Sequence, residues 1–107
     1  MIVVTTPDLP GHRIVRVLGL CRGSAVRSRH AGRSLLAMIK GLVGGEIEEY
    51  TQVLAQAREQ ALDRMVEEAR ALGANAILAA RFASSEIASH SAELLAYGTA
   101  VLVEPAP

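Results

Sequence analysis

Residues 71–82, ALGANAILAARF, join a helical periodicity to a strand periodicity within twelve residues, and the fold is read outward from that joint. Upstream, Tyr50, Leu54, Ala57, Ala61, Met65, Ala69 and Leu72 recur every three or four residues, which places them on one face of a helix. Val53, Leu62 and Val66 widen that stripe, while Gln52, Gln56, Glu59, Asp63, Glu67 and Arg70 form the opposite side. The spacing predicts a long amphipathic helix from Glu46 to Leu72, with Glu46, Glu48 and Glu49 in a first turn whose unpaired amides favour carboxylates. Leu72 is expected to close the apolar stripe, and Gly73 to take the left-handed position just past the helix end. From Asn75 the period becomes two, with Ala76, Leu78, Ala80 and Phe82 expected on one side of a strand.

Beyond the joint, residues 83–92, ASSEIASHSA, read as a small polar loop. Residues 93–103, ELLAYGTAVLV, read as a last strand interrupted by Gly98 and ended by Glu104 and Pro105. In the other direction, Leu35, Met38, Ile39, Leu42 and Val43 mark a shorter helix starting near Ala31, stopped by Gly44 and Gly45. Residues 13–28, RIVRVLGLCRGSAVRS, are rich in Val, Leu and Ile and predict a long bent strand or two strands. Gly19 and Gly23 within them mark a bulge, a sharp bend or the close approach of another backbone. MIVVTT at the start reads as a strand and PDLPGH as the turn after it. The order predicts a single α+β domain over residues 1–107: a mostly antiparallel sheet with one short and one long helix packed on one side.

Half of the 107 residues are apolar, yet there is no Trp, one Phe and two Tyr, so the core must be built from Ala, Leu, Val and Ile. Alanine removes little area from water, and such a core is thin unless elements pack closely or subunits share it. The formal net charge is zero but unevenly spread. Residues 1–45 carry seven basic groups against Asp8 alone, and residues 46–107 carry four arginines against ten acids. Scarce aromatic residues to stack bases and an equally large acidic half argue against a nucleic-acid partner; the two halves are expected to meet and steer assembly. No apolar run reaches the roughly 20 residues a membrane helix needs, and the start lacks the pattern of a signal peptide. A cytoplasmic protein without a membrane partner is the expectation.

The residues that could carry chemistry are few. Cys21 is the only cysteine, which excludes an intramolecular disulfide and a multi-cysteine zinc site. A buried, inert thiol is its simplest reading. His12, His30 and His90 lie in separate segments and form no metal-ligand pattern. Glu86 and His90 would share a face only if the serine-rich stretch between them were helical. Ser84, Ser85, Ser89 and Ser91 lie near His90, but nothing resembles a nucleophile elbow or an oxyanion hole. No catalytic residues are therefore assigned.

TTPDLPGHRI, LGLCRG, GLVGGEIEEY, AREQALDRMVEEARALGANAILAARF and YGTAVLVEP resemble, in order and spacing, the YbjQ-like family, small bacterial proteins labelled as heavy-metal-binding domains. The most specific matches are Thr5-Thr6-Pro7, Gly44-Gly45 with Tyr50 following, Leu72-Gly73-Ala74-Asn75-Ala76 and Gly98-Thr99-Ala100-Val101. The resemblance implies a dodecin-subunit-like α+β subunit, assembled as a ring-like homopentamer whose short extra strands join neighbours, with no known enzyme activity. It implies a metal ligand without defining a ligand set. Arg33-Ser34, Ile39-Lys40-Gly41, Glu46-Ile47-Glu48 and Ala83 depart from the family's pattern, and three candidate carboxylate positions are lost with them.

In a cyclic oligomer one ligand per subunit near the axis becomes a ring of ligands. Cys21 is then the candidate for a soft transition or heavy metal, beside Glu86 and His90. The expected function is that of a small homo-oligomeric metal-binding or small-molecule-binding module; the alternatives are an enzyme with a composite site between subunits and a purely structural assembly.

Overall fold

The computed structural model describes residues 1–28, 46–88 and 91–107. The elements are β1 (Ile2–Val3), β2 (His12–Ser28), α1 (Glu46–Ala71), β3 (Ala76–Ala88) and β4 (Ser91–Pro105). They form an α+β fold in which one long helix lies on a four-stranded sheet of order β1-β3-β4-β2. The sheet is antiparallel except for β1, which pairs parallel with β3. The expected shorter helix near Ala31–Val43, together with His30 and His90, lies outside the described residues.

The helical stripe buries as its spacing requires. Val53, Ala57, Ala61, Met65 and Ala69 are at most 4% exposed, and Leu54, Leu62 and Val66 flank them. Leu72 corrects the expected end of the stripe: it is 42% exposed, and Ala69 is the last buried position. The turn that follows explains this. The Gly73 amide donates to Arg70 O (2.9 Å) and the Ala74 amide to Ala69 O (3.0 Å), with Gly73 at φ 91°. This pair of bonds is a Schellman closure, which satisfies the last carbonyls and rotates Leu72 out of the stripe. Asn75 then enters the sheet by its side chain, whose Oδ1 accepts from the Val103 amide (2.8 Å) and whose Nδ2 donates to Val103 O (2.9 Å).

Two glycines set the geometry of β2. Gly19, at φ 117°, sits at one of two register shifts, between Ile14 and Arg16 and between Val17 and Gly19, so β2 is one bent strand. Gly23 lies directly under α1, where an added Cβ would stand 2.4 Å from both Ala61 O and Met65 N. Only a residue without a side chain lets the helix backbone come this close. Across the contact stand Ala57, Ala61 and Ala69, so the alanine-rich core is an instance of close element packing.

Two expectations for β3 change. The predicted face of Ala76, Leu78, Ala80 and Phe82 is split, because the register shifts between Leu78 and Arg81, where Ala79 adopts φ 53°. Ala76 and Leu78 pack with Val101 and Val103 under Val4 and Leu9, whereas Ile77 and Ala80 join the core beneath the helix. The residues expected to form a polar loop are strand: Ser84 pairs with Leu94, Ser85 with Glu93 and Glu86 with Ala92. Ladder pairing with β4 outweighs the modest strand preference of serine.

The described structure is elongated, 60 × 20 × 17 Å, with a radius of gyration of 17.5 Å. A compact chain of this length has about 13 Å. Among the described residues no helix is long and apolar enough to cross a membrane.

Candidate functional site

Cys21 lies fully buried in the core between β2 and α1, and its thiol donates a hydrogen bond to Gly98 O at 3.5 Å. Burial raises its pKa above the ordinary 9.0 and the nearby Glu68 carboxylate raises it further, against smaller opposing contributions from backbone hydrogen bonds. The thiol is therefore protonated at neutral pH, and a soft metal, which needs the thiolate, finds neither the charge nor an approach. Glu86 is an exposed residue of β3, so the helical spacing that would have joined it to His90 does not exist at its position. His12 opens β2, with Nδ1 3.4 Å from Pro10 O. The structure brings none of these residues together. Among the described residues no three His, Cys, Asp or Glu side chains converge as a cation site. They do not fit a bound metal cation, and no chemistry is derived through one.

What the fold does present is strand edge. β2 is an outer strand, and helix side chains cover only part of it. The Arg22 amide donates to Glu68 Oε1 (3.2 Å), and Arg64 Nη1 donates to Ser24 O (2.6 Å). Arg27 donates to Val26 O (2.9 Å) and is itself held by Gln60. Gln60, Arg64 and Glu68 are spaced four apart and so form one polar ridge along the strand. The His12 amide donates to Leu9 O (3.0 Å), but from Arg13 to Leu20 no described group meets the outer backbone, and Ile14, Val15, Val17 and Leu20 are exposed beside it. The opposite margin is similar. β1 covers β3 only at Ala76 and Ile77, and Ala79 and Ala80 bond to Thr6 O and Val4 O. Beyond Arg81 the outer side of β3 has no described strand partner, and Phe82 and Ile87 are exposed there.

Sequence reasoning missed this partition. Gln60, Arg64 and Glu68 belong to neither the apolar stripe nor the polar side drawn from the spacing, and their relation to β2 depends on how the helix crosses the sheet.

Comparison with known proteins agrees with the fold. A family model named YbjQ and described as "Putative heavy-metal-binding" matches residues 1–104. A UPF0145 protein of Pyrococcus furiosus is 53% identical over 104 residues, covering 97% of this chain and 91% of that protein. One from Bradyrhizobium sp. is 54% identical over 106 residues, covering 99% and 96%. The Pyrococcus relative is archaeal, so the family extends past the bacteria expected from the sequence. A crystal structure of a protein of unknown function from Pediococcus pentosaceus, assigned to the DUF74 family, superposes with a TM-score of 0.66. It covers 97% of this chain and 98% of that one at 15% identity, a likeness of fold alone. With a model spanning nearly its whole length and relatives at about half identity, this chain belongs to the YbjQ family of UPF0145 proteins.

Proposed function

We propose that the chain is the subunit of a cyclic homo-oligomer that acts as a binding module and carries no catalytic machinery of its own. The observation that carries this reading is the pair of strand edges left open among the described residues on opposite sides of one sheet, β2 from Arg13 to Leu20 and β3 beyond Arg81. Unpaired edges flanked by apolar side chains are templates for another strand. Because the two edges differ, joining β2 of one copy to β3 of the next is a head-to-tail contact, which closes a ring when the rotation permits. The family resemblance points to five subunits. The elongated shape and the thin alanine core support the reading, since a shared interface supplies apolar burial that the isolated subunit lacks.

Sedimentation velocity at micromolar concentration tests the assembly: a species several times the 11.3 kDa subunit is expected, and a stable monomer refutes it. Val17→Glu and Phe82→Glu place a charge beside each edge and are expected to give monomers separately. Mixed together they should form heterodimers, because each variant retains the edge the other has lost. Absence of such heterodimers refutes the head-to-tail arrangement.

A further inference from the structure

Among the described polar groups, two arginines and a tyrosine stand in one row, a set that suits an anion better than a cation. On the sheet face away from α1, Arg81 of β3, Tyr97 of β4 and Arg22 of β2 are direct cross-strand neighbours. Their face is fixed by the alternation of the strands, since Cys21, Gly23 and Ala96 on either side of the row are buried towards the helix. With strands about 4.8 Å apart, the two arginine Cα atoms stand about 10 Å apart across Tyr97, so both side chains can reach one small anion when Arg81 turns inward from the N-terminal segment on the outer side of β3.

The two arginines are prepared differently. Arg81 Nη1 donates to Thr5 O and to Ala80 O, both at 2.8 Å, which anchors the guanidinium at the end of the N-terminal segment. No described acceptor meets its Nη2 or Nε. Arg22 is exposed, and no described carboxylate or carbonyl engages its side chain; Glu68 accepts from its backbone amide instead. Arg13–Glu104 is the ion pair found among the described residues, so neither cation of the row is neutralised by a direct contact. Glu93 shares the face, but four residues along β4 from Tyr97 it stands about 13 Å away. Leu20, 60% exposed, and the half-buried Leu95 flank the row and offer an apolar floor.

We propose that this row binds an oxyanion, with the guanidinium groups of Arg22 and Arg81 gripping its oxygens and the Tyr97 hydroxyl donating between them. Charge-assisted bonds from guanidinium are the strongest available for such a group. The oxyanion belongs either to an organic phosphate or to a metal oxyanion such as molybdate. This names a ligand class for the binding-module reading but does not rest on assembly, because edge-to-edge pairing takes place at the margins of the sheet and the row lies on its face.

Isothermal titration calorimetry with sodium phosphate, phenyl phosphate and sodium molybdate, at constant ionic strength, tests it on the wild type and on Val17→Glu. Binding by both proteins is expected, so failure of the assembly and failure of the site give different results. Arg22→Gln, at a side chain with no bond to the described residues, should weaken binding about ten-fold or more. Tyr97→Phe should weaken it less. Tighter binding of phenyl phosphate than of phosphate identifies an organic ester, and tighter binding of molybdate identifies a metal oxyanion. Absence of binding by all three anions, or equal affinity in the wild type and Arg22→Gln, overturns the proposal.

Discussion

The two halves of β2 are one continuous strand with opposite fates. From Cys21 to Arg27 the helix lies over the strand and Glu68, Arg64 and the Arg27–Gln60 pair hold its outer backbone. From Arg13 to Leu20 the strand is bulged, its apolar side chains are exposed and its outer backbone has no described partner. The difference separates two tasks that a strand edge can have. Where the subunit must be a self-contained fold, polar side chains close the edge; where a neighbour is expected, the edge is left open and made apolar.

Substitutions can break or sharpen this contrast. The largest effect is expected from Gly23→Ala in the covered half, where the new methyl meets helix backbone at 2.4 Å and α1 must move. A loss of about 3 kcal/mol in urea unfolding is expected, and an unchanged midpoint would contradict the close packing. Gly19→Ala in the open half is its counterpart: nothing lies within 4 Å, so the cost is conformational, at φ 117°. About 1–2 kcal/mol should be lost, with the helix undisturbed by circular dichroism. The double variant Glu68→Ala, Arg64→Ala uncovers the closed edge. Stability should fall by about 1 kcal/mol or less because these bonds are exposed, while light scattering should reveal larger, less uniform assemblies. If the size distribution stays that of the wild type, the ridge does not guard the edge.

The smallest effect is one of pH. Cys21 has a raised pKa when folded, so its contribution is fully present below the unfolded thiol's value near 9.0 and is lost as pH rises from there towards the folded value. Wild-type stability should therefore decline more steeply above pH 9 than that of Cys21→Ala. Parallel pH profiles would show that the thiol is not held neutral by the fold.

Much of this architecture was legible in the sequence because it rests on periodicity and on glycine. The stripe from Val53 to Ala69, the turn at Gly73 and the paired meanings of Gly19 and Gly23 all follow from residue type and spacing. The slip at Ala79 was not legible, since an alanine gives no sign of the left-handed conformation that pairing with β4 and the Val4–Thr6 segment imposes on it. Nor was the strand from Ser84 to Glu86, whose order comes from β4 and not from its own composition. The candidate sites show the same division. Cys21 could be read as a buried thiol, but the row of Arg22, Tyr97 and Arg81 exists only through registers set between distant segments.

The strand order also bears on how the chain comes to be folded. β2 precedes α1 and β3 in the chain, yet its partner within the sheet is β4, which follows them both. β1 waits similarly for β3. Neither β1 nor β2 has its described strand partner until the chain beyond α1 has been made, so this sheet forms through contacts remote in sequence, the slow kind. During that interval the apolar stretch from Ile14 to Leu20 is exposed on a nascent chain. The four arginines spaced along β2 then have a second use, as charges that keep nascent copies apart until α1 and β4 arrive.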